Sequence, residues 1–238
     1  GSGSDALNAL SSKSSVKYRL RAAGLPTPAW LDPHGVFHGQ FASGPYIIKA
    51  DREHASRGLD QASVVEATTL NGLRRLWRGR AAELGLPCLA ERFVPGREFN
   101  ISLLDQGNGQ PSVLPLAEID FSALPRGHLP IVDWSAKWAE GSVEYIRTPR
   151  MFPDMSAEPK LSEQLQSSAI QCWQLLGMSG YARIDVRVDA SGQFWILEIN
   201  ANPCLSPDAG FQAACAAADL ADTEIMRCLI AAATAKRL

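Results

Sequence analysis

Residues 181–200 constrain the fold more than any other stretch of the chain. They form two runs of alternating apolar and polar residues, separated by a four-residue turn at 189–192. Such alternation is typical of half-buried β-strands, because successive side chains point to opposite faces. We therefore predict a β-hairpin whose apolar residues face a core. The residues expected on that apolar face are Ile184, Val186, Val188, Trp195, Leu197 and Ile199.

The polar face of this hairpin carries acidic and amide side chains. Asp185 lies on the first strand with Arg183, while Glu198 and Asn200 share a face of the second strand. The turn length predicts that Arg183 lies opposite Glu198 and that Asp185 lies opposite Ile196. Asp185 and Glu198 would then be diagonal neighbours, with their Cα atoms about 7–8 Å apart.

Two carboxylates and an amide oxygen are hard ligands of the kind that suits Mg²⁺ or Mn²⁺ bound together with substrate phosphates. Asn202 and Pro203 follow the second strand and add an amide and a rigid turn where such ligands converge. An exposed polar face with an Arg183–Glu198 cross-strand pair is the alternative. The acidic residues alone do not decide between the two.

The composition excludes several classes of protein. The chain has 238 residues, 46% of them hydrophobic, which is enough for one large domain or two small ones. A net charge of −2 argues against a general binder of nucleic acid or of anionic membranes. No apolar run approaches the roughly 18 residues of a membrane helix. Five scattered cysteines with no CxxC spacing disfavour a disulfide framework or a zinc site.

The start of the chain shows no charged segment followed by an apolar one, so we expect no signal peptide. We therefore expect a cytoplasmic protein with no nucleic-acid partner and no membrane partner.

Helices and strands follow one another without regular alternation, which favours an α+β fold over a doubly wound sheet. The predicted elements are a helix at 5–23, a strand at 45–49, one or two helices at 61–84, strands at 89–94 and 99–104, a hairpin turn at 106–109, a loop-rich segment at 120–158, a helix at 159–177 and a helix at about 211–236.

The hairpin resembles the metal-binding signature of ATP-grasp ligases, most closely the D-alanine–D-alanine ligase-like branch. The pair Arg183-x-Asp185, the spacing from Asp185 to Glu198 and the end Glu198-x-Asn200 all match. The resemblance extends from about Lys13 to the final helix. It implies two α+β subdomains with ATP between them, and a Mg²⁺ (or Mn²⁺) ion held by Asp185, Glu198 and Asn200.

The resemblance also implies a phosphate-binding region. Lys13 and Lys49 match two family lysines that reach the nucleotide phosphates. The loop 54–58, with Ser56 and Gly58, resembles the family loop that covers the phosphates, and small residues there let backbone N–H groups approach.

Residues 91–99 resemble the hinge between the two subdomains, where adenine stacks in an apolar slot. The resemblance implies that the carbonyl of Arg92 and the N–H of Val94 bind the adenine edge and that Glu98 holds the ribose hydroxyls. Glu91 belongs to the same nucleotide-binding set.

Two cations are implied to act in catalysis. Lys137 matches a lysine carried by a loop to the γ-phosphate, and Arg183 matches the arginine that stabilises charge on the transferred phosphate. Arg187 has no matching role. Asp208 and Ala209 lie where the branch contacts its acceptor, and they give no clear D-alanine signal.

The resemblance implies an ADP-forming ligase that joins a small-molecule carboxylate to an amine through an acyl phosphate. It divides the chain into an N-terminal helix and linker (1–30), a central subdomain with the phosphate loop (31–94) and a C-terminal subdomain with the metal site (95–238). Most such ligases have a further N-terminal domain, so we expect a missing domain or a second copy of the chain as a partner. An ATP-binding module without turnover of its own and a kinase-like phosphotransferase on the same fold remain alternatives.

Overall fold

Two antiparallel β-sheets organise the part of the chain that the computed structural model describes, residues 1–235. The helices are α1 Ser4–Leu10, α2 Lys13–Ala22, α3 Leu70–Leu84, α4 Trp134–Trp138, α5 Val143–Arg147, α6 Pro159–Leu175, α7 Gly210–Ala217 and α8 Asp222–Ala235, with 3₁₀ turns at Gln61–Ser63 and Met155–Ala157. The strands are β1 Trp30–Leu31, β2 Phe37–His38, β3 Gly44–Ala50, β4 Val64–Ala67, β5 Cys88–Arg92, β6 Arg97–Asp105, β7 Pro111–Val113, β8 Ala117–Ile119, β9 Arg150–Met151, β10 Tyr181–Val188 and β11 Phe194–Asn200.

The first sheet has five strands in the order β2-β1-β5-β3-β4, and α3 packs against it. Helix α3 begins where the Thr69 side chain accepts a hydrogen bond from Gly72 N–H, and it ends at Gly85, which adopts a left-handed φ of 64°. The Trp77 indole is nearly buried and donates to the carbonyl of Cys88. These contacts fix α3 on one face of the sheet.

The second sheet has six strands, with β11-β10-β6-β8-β9 side by side and β7 paired to the end of β6. Helix α6 and parts of α1 and α2 cover one face. Ile184, Val186 and Val188 are buried in that core, which confirms the alternation predicted for the first strand of the hairpin. Helices α7 and α8 form a smaller core with the outer ends of β6 and β10.

The hinge between the sheets, residues 93–96, requires a glycine. Gly96 has φ of 131°, and a Cβ on it would lie 2.1 Å from the carbonyl oxygen of Val188. Any side chain would therefore push β10 away from the hinge. This close approach sets how the two sheets meet, and it positions the cleft described below.

The structure confirms the α+β fold, the hairpin at 181–200, the hairpin turn at 106–109, the strands near 45–49, 89–94 and 99–104, and the helix near 159–177. The loop-rich segment 120–158 contains only short elements. Within residues 1–235, no helix is long and apolar enough to cross a membrane.

Two predicted helices are wrong in part. The helix predicted at 5–23 is broken between α1 and α2, where Ser12 caps α2 by accepting from Ser15 N–H. Asp51 holds this break, since its carboxylate accepts hydrogen bonds from Ser12 Oγ at 2.7 Å and from Ser14 N–H at 2.9 Å. Residues 64–67, predicted as helix, form β4 because their backbone pairs with β3.

The helix predicted at about 211–236 is also divided. Helix α7 ends near Ala218, and Asp219 adopts a left-handed φ of 57° that turns the chain into α8. The turn allows Ile225 of α8 to pack against Phe211 of α7 in the small core. Residue 236, the end of the prediction, lies outside the described residues.

Candidate functional site

A cleft with a volume of about 620 Å³ lies between the two sheets, a size typical of small-molecule sites. It brings together twelve of the thirteen residues that the sequence predicted for a site. These are Lys13, Lys49, Ser56, Glu91, Arg92, Val94, Glu98, Lys137, Arg183, Asp185, Glu198 and Asn200.

Gly58, the thirteenth predicted residue, is not among the cleft-lining residues. It has φ of 73°, and a Cβ on it would lie 3.1 Å from the Leu84 side chain of α3. Backbone conformation and contact with α3 therefore account for a glycine at this position.

Two loops meet over the cleft. The Ser56 hydroxyl donates to the carbonyl of Val132 at 3.0 Å, and the Trp138 indole donates to the carbonyl of Ala55 at 3.0 Å. Ala55 and Ser56 both adopt left-handed φ angles, 57° and 61°. Non-glycine residues rarely adopt this conformation, and such strain is concentrated at functional sites.

The register of the hairpin differs from the prediction. Asp185 pairs directly with Glu198, and Arg183 pairs with Asn200, so the expected pairs Arg183–Glu198 and Asp185–Ile196 are wrong. Two differences cause the shift. The loop between the paired residues Val188 and Phe194 has five residues rather than four, and a bulge at Leu197, between the pairs Val186–Ile196 and Asp185–Glu198, adds one more.

The bulge accompanies a contact that the sequence pattern did not reveal. Ile196 N–H donates to the carbonyl of Pro26 at 2.9 Å, and its carbonyl accepts from the Thr27 hydroxyl at 3.0 Å. Leu197, predicted to face the core, lines the cleft instead. As a result, Asp185 and Glu198 are immediate cross-strand neighbours, and an apolar side chain lies beside them.

Asp185 is surrounded by donors. Arg183 binds it with two hydrogen bonds, Nε to Oδ1 at 2.7 Å and Nη2 to Oδ2 at 2.9 Å. Asn100 donates at 3.0 Å and Asn200 at 3.3 Å. Asn100 was missed by the sequence reasoning, although a buried amide in the middle of the apolar strand β6 is a usable signal.

Glu198 stays ionised because cations surround it. Burial alone would raise the pKa of this carboxyl, but Lys13, Lys137, Lys49 and Arg183 outweigh that effect and lower the pKa to about 2. Lys13 Nζ lies 3.5 Å from Oε1.

The donor set fits a small hard cation. Among residues 1–235, no group of three or more His, Cys, Asp and Glu side chains is arranged to hold a metal ion. Asp185 and Glu198 supply two carboxylates, and Asn200 adds an amide. Mg²⁺ commonly takes only one or two carboxylates and completes its shell with water and phosphate oxygens, so these residues suit it.

Glu91 is fully buried and is shared by two lysines. Lys49 Nζ donates to Oε1 at 2.6 Å, and Lys17 forms an ion pair with Oε2. Burial would raise the pKa of Glu91, but Lys17 and Lys49 lower it, so the carboxylate stays charged. Lys17 was missed by the sequence reasoning. Its signal is a lysine between Val16 and Leu20 on the apolar side of α2.

Glu98 is held by Arg187, the arginine to which the sequence gave no role. Arg187 is buried, its Nε donates to Oε2 of Glu98 at 2.9 Å, and it also donates to the carbonyl of Gly96 at 3.1 Å. Its guanidinium lies over the rings of Phe93 and Phe121. Arg187 therefore ties Glu98 to the hinge.

An apolar slot lies beside the hinge. The apolar residues lining it are Ile47, Phe93, Val94, Ile119, Ile131 and Leu197. The Arg92 side chain points elsewhere, donating to the carbonyls of Ala42 and Ser43. Only the backbone of Arg92 is therefore available to a ring in this slot.

Solved structures share this fold. D-alanyl-alanine synthetase A from Vibrio cholerae superposes with a TM-score of 0.72 at 18% identity, covering 98% of this chain and 68% of the other. D-alanine–D-alanine ligase from Bacillus anthracis, complexed with ATP, gives a TM-score of 0.69 at 18% identity, covering 99% and 70%. At this identity the likeness shows the fold, two sheets with a cleft between them.

Sequence relatives extend the likeness. D-alanine–D-alanine ligase from Methylococcus capsulatus is 32% identical over 185 residues, covering 76% of this chain and 52% of that protein. The chain thus spans about half the length of the curated relatives it matches. The family model described as "D-ala D-ala ligase C-terminus" matches residues 41–231. The chain therefore belongs to the D-alanine–D-alanine ligase C-terminal family, with an ATP-grasp fold.

Proposed function

We propose that this chain binds Mg·ATP in the cleft and joins a small-molecule carboxylate to an amine through an acyl phosphate, releasing ADP and phosphate. One observation supports this above all: a single cleft holds an apolar slot, several lysines and the Asp185–Glu198 pair. A nucleotide needs all three, since its base is apolar and flat while its phosphates carry most of its charge.

The apolar slot suits the adenine ring, with the Arg92 carbonyl and the Val94 N–H at its edge. Glu98 suits the ribose hydroxyls, because a carboxylate accepts from both. Arg187 orients Glu98 for this contact. The segments 1–30, 31–94 and 95–238 remain the proposed division of the chain, and residues 93–96 join the last two.

The lysines suit the phosphates. Lys13, Lys49 and Lys137 all line the cleft, and Lys13, Lys137 and Lys49 are close enough to Glu198 to lower its pKa. Asp185, Glu198 and Asn200 would hold Mg²⁺ (or Mn²⁺), which neutralises charge on phosphate oxygens. Ser56, whose hydroxyl contacts Val132 in this arrangement, and Gly58 would act through the conformation of their loop.

In the first chemical step an oxygen of the substrate carboxylate attacks the γ-phosphorus, and the bond to the β–γ bridging oxygen breaks, which releases ADP. Arg183 and Lys137 stabilise the charge that moves during this transfer. In the second step the amine nitrogen attacks the acyl carbon, the phosphate leaves and the amine loses a proton to solvent. The chain acts chiefly by holding the reacting groups together.

Nucleotide binding without turnover by this chain alone is the second candidate function. The observation in its favour is that the chain spans about half the length of the ligases it resembles. In that case the same residues bind Mg·ATP, and additional protein completes the carboxylate and amine sites.

Thermal unfolding separates these functions from an unrelated role. A ligand at about 100 times its Kd adds about 2.7 kcal/mol to the free energy of unfolding, so excess Mg·ATP should raise Tm clearly. The rise should shrink without Mg²⁺. No rise with Mg·ATP would overturn both candidates.

ADP release with pools of carboxylic acids and amines, followed by mass spectrometry of the products, then decides between the candidates. An amide product supports the ligase. ADP release with a stable phosphorylated product indicates a kinase-like reaction, and a Tm rise without ADP release indicates a binding module. Exposed Glu163→Gln on α6 is the control variant that should behave as the original chain does.

A further inference from the structure

Lys17, on α2, is a buried cation that the proposed chemistry does not use. It is 1% exposed and is not among the residues that line the cleft. Its Nζ forms the ion pair with Glu91 and donates to Thr27 Oγ1 at 2.7 Å and, more weakly, to the carbonyl of Pro28 at 3.5 Å. Burial lowers the pKa of Lys17, and the Glu91 carboxylate opposes this effect. A lysine buried this completely is costly unless it is paired and hydrogen-bonded, so its contacts indicate what it does.

The Thr27 hydroxyl extends these contacts to the second sheet. Its Oγ1 accepts from Lys17 and lies 3.0 Å from the carbonyl oxygen of Ile196. A carbonyl can only accept, so the hydroxyl donates its single hydrogen to Ile196. A donor to Oγ1 polarises the hydroxyl and strengthens the bond that it donates. Glu91, Lys17, Thr27 and the Ile196 carbonyl form a continuous chain, called the Lys17 bridge below.

The Lys17 bridge connects the two sheets. Glu91 lies on β5 of the first sheet, and its second carboxylate oxygen binds Lys49. Ile196 lies on β11 of the second sheet, and its N–H donates to the carbonyl of Pro26 at 2.9 Å. Both backbone groups of Ile196 are therefore held by residues 26 and 27, and Lys17 holds Thr27 in turn.

Ile196 lies where β11 departs from regular pairing. Leu197 bulges between Ile196 and Glu198, and this bulge places Glu198 opposite Asp185. A strand that slips by one residue turns every following side chain to the other face. Without the bulge, Leu197 would lie opposite Asp185, and Glu198 would turn to the core face. The contacts that hold Ile196 therefore hold the two carboxylates together.

Helix α2 contacts the carboxylate pair a second time. Lys13 lies one turn before Lys17 on the same face of the helix, and its Nζ is 3.5 Å from Oε1 of Glu198. The Lys17 bridge joins Lys49 to the same helix. The two lysines proposed for the phosphates and the carboxylates proposed for the metal ion thus share one support.

We propose that Lys17 and Thr27 are positioning residues that hold the bulge of β11, so that Glu198 faces Asp185 and the metal ion and the phosphates are bound on one support. The role towards metal and nucleotide rests on the proposed function, whereas the holding of the bulge does not. Loss of the bridge should reduce the gain in nucleotide affinity that Mg²⁺ provides. Nucleotide binding without metal should change little, because the cleft lysines remain.

Hydrogen exchange without any ligand tests whether the bridge holds the bulge. The Ile196 N–H is followed by nuclear magnetic resonance, relative to the Asp105 N–H, which is bonded to the carbonyl of Gly180 elsewhere in the same sheet. Thr27→Val removes the hydroxyl at nearly constant shape and should speed Ile196 exchange at least about tenfold, the effect of about one hydrogen bond. Thr27→Ser keeps the hydroxyl and should restore slow exchange.

Thr234→Val is the matched control. It removes a threonine hydroxyl that donates to a backbone carbonyl, that of Ile230, on the exposed side of α8 outside the cleft. It should leave Ile196 exchange and nucleotide binding as in the original chain.

Calorimetric titration with the non-hydrolysable analogue AMPPNP tests the role towards the metal. The ratio of its Kd in EDTA to its Kd in excess Mg²⁺ measures the gain from the metal. Thr27→Val should lower this ratio roughly tenfold, as the loss of an outer residue that supports a metal ligand does. Thr27→Ser should restore the ratio. A residue that serves stability alone would lower the free energy of unfolding in urea and leave the ratio unchanged.

Two results would overturn the positioning role. One is unchanged Ile196 exchange in Thr27→Val, and the other is faster exchange with an unchanged gain from Mg²⁺. Lys17→Met should reproduce both effects, and adding Thr27→Val to it should change little more, because the two residues act through one chain. If Lys17→Met does not fold, the Thr27 variants still decide.

Failure of the proposed function is read separately on the original chain. No binding of AMPPNP with Mg²⁺ would overturn the proposed function and the role of the bridge towards the metal. Faster Ile196 exchange in Thr27→Val would then leave only the holding of the bulge standing. Equal binding in EDTA and in Mg²⁺ would overturn the role towards the metal and leave nucleotide binding intact.

Discussion

The two ends of the cleft differ in how their charges are balanced. At the hinge end, Glu91 is paired with Lys17 and Lys49, and Glu98 is paired with Arg187, so every one of these acids has a buried cation beside it. At the other end, Arg150 has no such partner among the described residues. The acids of the hinge end are thus paired within the protein, while Arg150 at the other end is not.

This difference predicts a division of labour. Substitutions at the hinge end should alter the free energy of unfolding as well as nucleotide binding, because they leave buried charges unpaired. Substitutions at the other end should alter rates or ligand affinity more than the free energy of unfolding; Asp185, for example, keeps the donors Asn100 and Asn200 when Arg183 is removed.

The largest expected effect is on stability. Glu91→Ala leaves Lys17 and Lys49 buried without their acid and should lower the free energy of unfolding by about 3–5 kcal/mol. Urea unfolding measures the change, and Glu163→Ala on the exposed face of α6 should change it by less than about 0.5 kcal/mol. A loss below about 1 kcal/mol for Glu91→Ala would remove the contrast between the two ends.

The next largest expected effect is that of Arg183→Ala on the reaction rate. Arg183 lies beside Asp185 and the cations around Glu198, where charge moves in the proposed phosphoryl transfer. Its loss should lower kcat for ADP release by roughly 10²- to 10³-fold while ATP affinity changes only a few-fold. Arg183→Lys should restore only part of the rate lost in Arg183→Ala, since the lysine ammonium is a single point charge and cannot bind two oxygens at once as a guanidinium does.

One result would contradict the proposed catalytic role of Arg183. A large loss of ATP affinity or of stability, with kcat per bound ATP unchanged, would make Arg183 a structural partner of Asp185. The two ends of the cleft would then be built alike.

Much of this cleft could be predicted from the sequence because its parts are local. Alternation from 181 to 188 places Arg183, Asp185 and Arg187 on one face, whatever the rest of the chain does. The strand ending in Lys49 is a similar local pattern. Resemblance to a family then placed hinge and hairpin residues in one cleft.

The features of the cleft that the sequence did not predict depend on contacts between segments that are distant in the chain. The bulge opposite Asp185 accompanies backbone bonds from Ile196 to Pro26 and Thr27, which no pattern within the hairpin encodes. The place of Lys17 on the apolar side of α2 is visible in the sequence, but its partner is not, because only the fold brings Glu91 of β5 beside it. Arg150 lies in a segment without regular pattern, and pairing of β9 with β8 and packing against Gly210 of α7 bring it into the cleft.

Glu98→Ala sharpens the comparison at the hinge end. Loss of a charge-assisted contact to the ribose should weaken ATP binding by roughly 1.5–3 kcal/mol. Binding of 2′,3′-dideoxy-ATP should change much less, because it lacks the hydroxyls that Glu98 would accept from. Calorimetric titration of both nucleotides gives the difference. Equal losses would mean that Glu98 acts through Arg187 and the hinge rather than through the ribose.

A cluster outside the cleft provides the last and smallest test, because its acid is paired like those of the hinge end but does not line the cleft. The Asp32 carboxylate accepts hydrogen bonds from Tyr18 at 2.6 Å and from the N–H groups of His34 and Val36, and it lies 2.9 Å from His38 Nε2. Burial would raise the pKa of Asp32, but these hydrogen bonds outweigh it and lower the pKa to about 2. Because the pKa is lower in the folded state, the stabilisation is fully present above about pH 4 and is lost as the pH falls towards 2.

Asp32→Asn should therefore lower the free energy of unfolding by roughly 2 kcal/mol at pH 7, and the difference from the original chain should shrink progressively between about pH 4 and pH 2. Urea unfolding at several pH values measures it, with exposed Glu66→Gln on β4 as the control.

The Mg·ATP-dependent rise in Tm should be unchanged, in contrast to the variants of Glu91 and Glu98, because Asp32 lies outside the cleft. A pH-independent difference would show that Asp32 acts by shape rather than by charge. Loss of the Tm rise in Asp32→Asn would show that nucleotide binding also depends on charge pairing outside the cleft. The comparison between the two ends of the cleft would then not explain nucleotide binding.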